Sequence, residues 1–207
     1  MIQKTQQLHN ILKVVAFLLL VVDSRAQSAE NELDNYARKK HDLNHNGMVF
    51  LTSWASANVL SGTGYFVSGS EEEKYFYGMN AVWGAVNLSI AIPGLLGKKQ
   101  TYPDHQKLIK NQLKTEKIYA VNAALDVIYI AGGFALNEVA NSQSDIHKKA
   151  MFRGFGESFL VQGGAVLIFD VTMFSANRNN WKKHLKRSKG NPEISLRPSG
   201  FDLRWKF

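Results

Sequence analysis

Four long stretches of this chain, residues 47–68, 75–97, 118–139 and 155–176, are dominated by apolar residues and contain neither Lys nor Arg. Each is about the 20 residues that a helix needs to cross a hydrocarbon core of ~30 Å. Polar side chains interrupt all four at helical spacing. Trp54, Asn58 and Ser61 lie four and three apart, and Asn80, Trp83 and Asn87 are spaced similarly. Asn122, Asp126, Tyr129 and Gly133 extend the pattern, while Gln162 and Asp170 stand eight apart. Residues so spaced share a helix face. Each stretch therefore predicts a helix with one polar stripe, and burying the stripes together gives a bundle with a polar seam. The expected fold class is all-α, a transmembrane four-helix bundle over 47–176. A short C-terminal β-hairpin is expected where Phe201, Leu203, Trp205 and Phe207 alternate with charged residues after Pro198-Ser199-Gly200.

The flanking segments read differently. Residues 28–46 are polar, with Leu33, Tyr36, Ala37, Lys40 and Leu43 at helical spacing, which predicts a short helix lying on the membrane surface. Asn46-Gly47 is its expected stop signal. Pro103-Asp104 marks a helix start, from which one helix runs through Lys117 into the third stretch. The fourth continues to Ser188, with Gly190 and Pro192 ending it. Ser53, Ala57 and Ser61, like Ala81, Ala85 and Ser89, form rows of small residues that mark expected helix contacts. Gly132-Gly133, Gly163-Gly164 and Pro93 serve either close packing or a local break in their helices.

Composition changes this picture little. A mean hydropathy of −0.20 is ordinary for a soluble protein, but here the apolar residues are blocked rather than spread. At 207 residues there is room for one folded domain. Four segments are expected: a signal peptide over 1–26, a juxtamembrane segment over 27–46, the membrane domain over 47–176 and a basic tail over 177–207. Lys4 and Lys13, the apolar run 14–22 and Ser24-Arg25-Ala26 have the order of an export signal cleaved before Gln27. The expected address is therefore the cell membrane, as an exported integral protein, in a bacterium the inner membrane.

The net charge of +8 is concentrated in the 98–117 loop and in the 178–189 tail. Antiparallel threading puts both on one face with the mature N-terminus. The positive-inside rule sends that face to the cytoplasm, whereas a cleaved signal sends it outside, so orientation stays open. Anionic headgroups suit such a face on either side. Lys182 to Lys189 beside Trp181 fits that lipid contact better than nucleic acid, which is not an expected partner.

Polar groups in hydrocarbon are expensive and need a partner or a purpose. The ligand or cation candidates are Asn58, Asn87, Asn122, Asp126, Tyr129, Gln162 and Asp170. Asp126 and Asp170 fall ~9–12 Å below the basic boundary by helix rise, with Asn58 and Asn87 near the midplane. The four are thus expected at similar heights. Interhelical hydrogen bonding accounts for the cluster in one reading, and a site for a cation, proton or small polar ligand in the other.

Zero cysteines exclude disulfides and thiolate metal sites. All six histidines lie outside the stretches, which excludes a buried bis-His haem. Asp42 to Gly47 matches half a calcium loop, but the twelfth position is Ser53 where a bidentate Glu is needed. No cofactor, metal or catalytic residue is expected. The function expected is a non-enzymatic membrane scaffold or subunit, with homo- or hetero-oligomers as partners. The alternative is a small transporter or ligand-binding membrane protein.

The strings from Tyr77 to Trp83 and from Asn122 to Tyr129, with Gln162-Gly163-Gly164 through Asp170, resemble an uncharacterised family of small bacterial four-span proteins. The resemblance covers residues 47–176. It implies the four-helix architecture and no activity.

Overall fold

A computed structural model describes the backbone of residues 2–102, 105–188, 193–197 and 200–204, and side chains over 31–102 and 106–186. Helix α1 covers Ile2–Ser61, the one-turn α2 Gly64–Val67, α3 Glu71–Leu95, α4 His105–Ser142 and α5 Ile146–Ser188. Strands β1 (Glu193–Arg197) and β2 (Gly200–Arg204) pair antiparallel, with Ile194 opposite Leu203. Pro198, Ser199, Trp205 and Phe207 lie outside the described residues, as do Pro103, Asp104, Gly190 and Pro192.

Local chemistry sets the helix starts. The Ser70 side chain accepts from Glu73 N–H at 3.2 Å, and Glu71, Glu72 and Glu73 place negative charge on the first turn of α3. Asp145 Oδ1 accepts from the N–H groups of His147 (2.9 Å) and Lys148 (3.2 Å) and so caps α5. The connections are short, and the long helices run up-down-up-down. Helix α5 packs against α1, α3 and α4, while α1 also packs on α3.

One series of buried positions on each long helix follows a seven-residue spacing. On α4 they are Gln112, Tyr119, Asp126, Gly133 and Ala140; on α5, Gly156, Gly163, Asp170, Asn177 and His184. Helix α1 contributes Ala37, Leu51 and Asn58, with the partly buried Asn44 between them, and α3 the pairs Asn80–Asn87 and Gly84–Ala91. A seven-residue repeat is the period of left-handed helix packing. Half of these seam positions are polar. The outside is the reverse: Ile168 is 71% exposed, Leu60 69% and Ile128 63%, whereas Gln162 is 1% and Asp170 2%.

Several expectations are corrected. Residues 28–46 do not form a separate surface helix; they continue into α1 without a break. Asn46-Gly47 is no stop, because packing outweighs the ~1 kcal/mol helix penalty of a glycine. A side chain at Gly47 would meet Met173 Cε at 2.6 Å. The first stretch instead breaks early, at Ser61, and ends in α2.

Helices α4 and α5 run unbroken through Gly132-Gly133 and Gly163-Gly164, and Pro93 sits in the last turn of α3 without unwinding it. Of these glycines Gly133 and Gly163 serve packing: a Cβ at Gly133 would stand 2.8 Å from Gly156 O, and one at Gly163 would stand 2.9 Å from the Ile130 side chain. The small-residue rows are shifted too. Ser53, Ala57, Ala85 and Ser89 are exposed; the α1–α3 contact runs through Ala55 and Gly84. A Cβ at Gly84 would lie 2.6 Å from Ala55 O and 2.8 Å from Val59 N, so two backbones touch there.

Among the described residues two helices are long and apolar enough to cross a membrane, over Gln106–Ser142 and Ile146–Lys186. Four were expected. Gly, Ser and Asn dilute the apolar content of α1 and α3.

Candidate functional site

The polar stripes converge into three layers stacked along α5, about 10–12 Å apart by helix rise. The layer nearest the α1–α3 connection centres on Gln162. Its Nε2 donates to Asn58 Oδ1 and, at 2.9 Å, to Asn80 Oδ1, and its Oε1 accepts from Trp54 Nε1 at 3.2 Å. Ser158 Oγ donates to the same Asn80 oxygen at 2.7 Å. Asn58 Nδ2 turns back to Trp54 O at 2.8 Å. Gln162, Asn58, Asn80 and Ser158 are all buried, so α1, α3 and α5 are joined by a nearly saturated amide network.

The middle layer holds the two aspartates. Asp126 of α4 and Asp170 of α5 bring their carboxyl groups close to each other, with the Asn122 amide beside Asp170. Asp126 Oδ2 and Asn87 Nδ2 are buried and find no partner. Level with the Gln162 layer, Trp83, Tyr129 and Phe159 pack edge to face, with centroids 4.8 to 6.0 Å apart.

The expected cluster therefore splits. Asp126, Asp170 and Asn122 lie together, and Asn87 is buried on α3, seven residues on from Asn80. Asn58 and Gln162 belong to the layer above, so Asn58 does not join the aspartates. Tyr129 is placed among aromatic rings.

The third layer was missed from sequence. Below the apolar stretches, α1, α4 and α5 continue together. Asn177 Nδ2 and Tyr119 OH both donate to Asn44 Oδ1 at 3.1 Å. Gln112, 1% exposed, accepts from Tyr36 OH and donates to Glu116 Oε1 at 3.0 Å and Asn177 O at 3.3 Å. Lys40 is 5% exposed, with Nζ donating to Asn111 Oδ1 at 2.5 Å. Burial pushes its ammonium down to about 8, against a weaker opposing pull from Glu116. Burial also raises the Tyr36 phenol, with weaker contributions from Tyr102 and Glu116. The heptad that links Gly163 and Asp170 to Asn177 and His184 was the available signal; a basic, polar tail hid it.

The comparisons with known proteins bear on the upper two layers. A model described as a family of unknown function, DUF6992, matches residues 50–171. This chain belongs to that family. The match spans more than half the chain and lies within the region of the sequence resemblance. Every residue named in the Gln162 and aspartate layers falls inside the DUF6992 region, whereas Tyr36, Lys40, Asn44 and Asn177 fall outside it. No curated protein and no solved structure matches the chain. Among the described residues no group of three His, Cys, Asp or Glu is placed to hold a metal ion.

Proposed function

We propose that this chain is an integral membrane protein whose helices α1, α3, α4 and α5 cross the bilayer, acting as a non-enzymatic scaffold or subunit. The observation behind this reading is the inverted polarity of the bundle. Amides and carboxyls occupy its axis, while Val82, Val86, Ile90, Leu125, Ile128, Phe134 and Ile168 face outward. An outward apolar surface is costly in water and neutral in lipid. Tyr65, Phe66 and Val67 of α2, the last two 84% and 85% exposed, suit insertion at the far interface. The amide network bonds helix to helix and leaves few groups for a ligand, so the work falls to outer surfaces and partners. Export through residues 1–26 and a bacterial inner-membrane address belong to the same proposal. Alkaline carbonate extraction tests it: the chain stays in the membrane pellet, and release of most of it into the supernatant would refute the reading.

The aspartate contact favours a second reading, a proton- or cation-binding membrane protein. Two carboxyls this close inside a bundle favour a shared proton or a bound cation between them, and hydrogen-bonding between helices does not require such a pair. Asp126→Asn and Asp170→Asn keep the shape and remove the ionisable group. If the pair is a site, detergent-solubilised stability is equal or higher in both variants. A clear loss in both at two pH values assigns the pair to helix adhesion instead.

A further inference from the structure

We propose that the cleft between α1 and α5 at the basic end is a binding site for the phosphate of an anionic phospholipid headgroup. The proposal rests on the membrane reading above. The cleft has a volume of about 450 Å³ and runs along both helices. One end is apolar, formed by Leu43 and Ala176, and Ala176 is the last residue of the fourth apolar stretch. The opposite direction leads away from the bilayer, and there the walls become cationic and amide-bearing. Lys39 and Lys183 stand on opposite helices, and Asn35, Asn179 and Asn180 accompany them.

The floor is rigid. Tyr36 is 3% exposed and His184 7%, with ring centroids 4.7 Å apart, and Trp181 packs on both. The Tyr36 hydroxyl is committed to Gln112, so the ring is fixed from behind. In the wall, Asn180 Nδ2 is buried and finds no acceptor. A buried N–H without an acceptor costs free energy, which a turn of the Asn180 amide toward an oxygen-bearing ligand in the cleft would recover.

The sequence of surfaces is that of a phospholipid: acyl chains at the membrane end, then glycerol, then a phosphate between two ammonium groups and an amide N–H. Glu32 lines the outermost part, seven residues or about 10 Å of helix beyond Lys39, and so leaves the phosphate position free. Lys ammonium groups bind phosphate as point charges, and the local excess of basic residues concentrates anionic lipid near the mouth.

The test uses the full chain in a neutral detergent, with thermal stability followed against added ligand. Short-chain phosphatidylglycerol raises the melting temperature saturably, short-chain phosphatidylcholine does not, and sn-glycerol 3-phosphate acts only at far higher concentration. Lys39→Gln with Lys183→Gln weakens the phosphatidylglycerol midpoint about tenfold or more. Lys182→Gln with Lys186→Gln removes the same amount of charge outside the cleft and shifts it by less than about twofold. Asn180→Leu, which leaves net charge unchanged, also weakens the midpoint and covers the case where the lysine pair does not fold. Equal losses in the two lysine pairs would reduce the effect to diffuse charge and overturn the site. Glycerol phosphate binding as tightly as the lipid would overturn the lipid assignment in favour of a soluble phosphate ester. Carbonate extraction reports on the membrane reading separately, so the two failures are distinguishable.

Discussion

Replacing Gln162 with Leu tests whether the amide network holds the bundle together. Leu is close in volume, so the change removes hydrogen bonds without opening a large cavity. Three are lost: those from Gln162 Nε2 to Asn58 Oδ1 and Asn80 Oδ1, and that from Trp54 Nε1 to Gln162 Oε1. Asn80 Oδ1 keeps Ser158 Oγ, and Asn58 Nδ2 keeps Trp54 O, but Trp54 Nε1 and Asn58 Oδ1 are stranded. Interhelical hydrogen bonds in membranes average ~0.6 kcal/mol, so three give a loss of about 2 kcal/mol. In water, stranding a single buried group costs a further ~1–3 kcal/mol, which makes about 2 kcal/mol a lower bound there. The assay is reversible unfolding in mixed detergent micelles, read by helical circular dichroism, on Gln162→Leu, Asn80→Leu and the double variant. Since the pair shares a bond, their effects are non-additive, with a coupling of ~0.6–1.7 kcal/mol. A Gln162→Leu protein as stable as the parent, or effects that add within ~0.3 kcal/mol, would refute the reasoning.

Other expectations follow from single contacts. Gly84→Ala forces its methyl against Ala55 O and Val59 N and destabilises by ~1–3 kcal/mol, whereas Gly164→Ala, which meets nothing within 4 Å, is neutral or stabilising; the same unfolding assay compares them. Lys40 makes stability pH-dependent. Its folded value of about 8 lies below the ordinary lysine value, so the unfolded chain holds the extra proton between those limits. The penalty is complete below about pH 8 and relieved as pH rises towards the ordinary value; Lys40→Met flattens that rise in melts taken across the window. Tyr36→Phe removes the donor to Gln112 Oε1 and lowers stability by about 1 kcal/mol, measured in the same melts.

The sequence by itself determined what is local. Helix positions and the polar stripe on each follow from three- and four-residue spacing, because neighbours on a helix face are neighbours in sequence. The unbroken α4 and α5 were legible for the same reason. Relations between helices were not legible. Gln162 joins Asn58 across 104 residues and Asn177 joins Asn44 across 133, and no local pattern says which amide finds which.

Tertiary structure also decided which small residues face inward. Ala55 and Gly84 form the α1–α3 contact, and the equally small Ala57 and Ala85 are left outside, because the seven-residue packing period rather than residue size sets the contact row. It decided the fate of residues 36–44 as well. Read alone, a lysine among polar residues belongs at a surface; packed against the lower ends of α4 and α5, Lys40 is buried because its neighbours supply the oxygen that its ammonium needs.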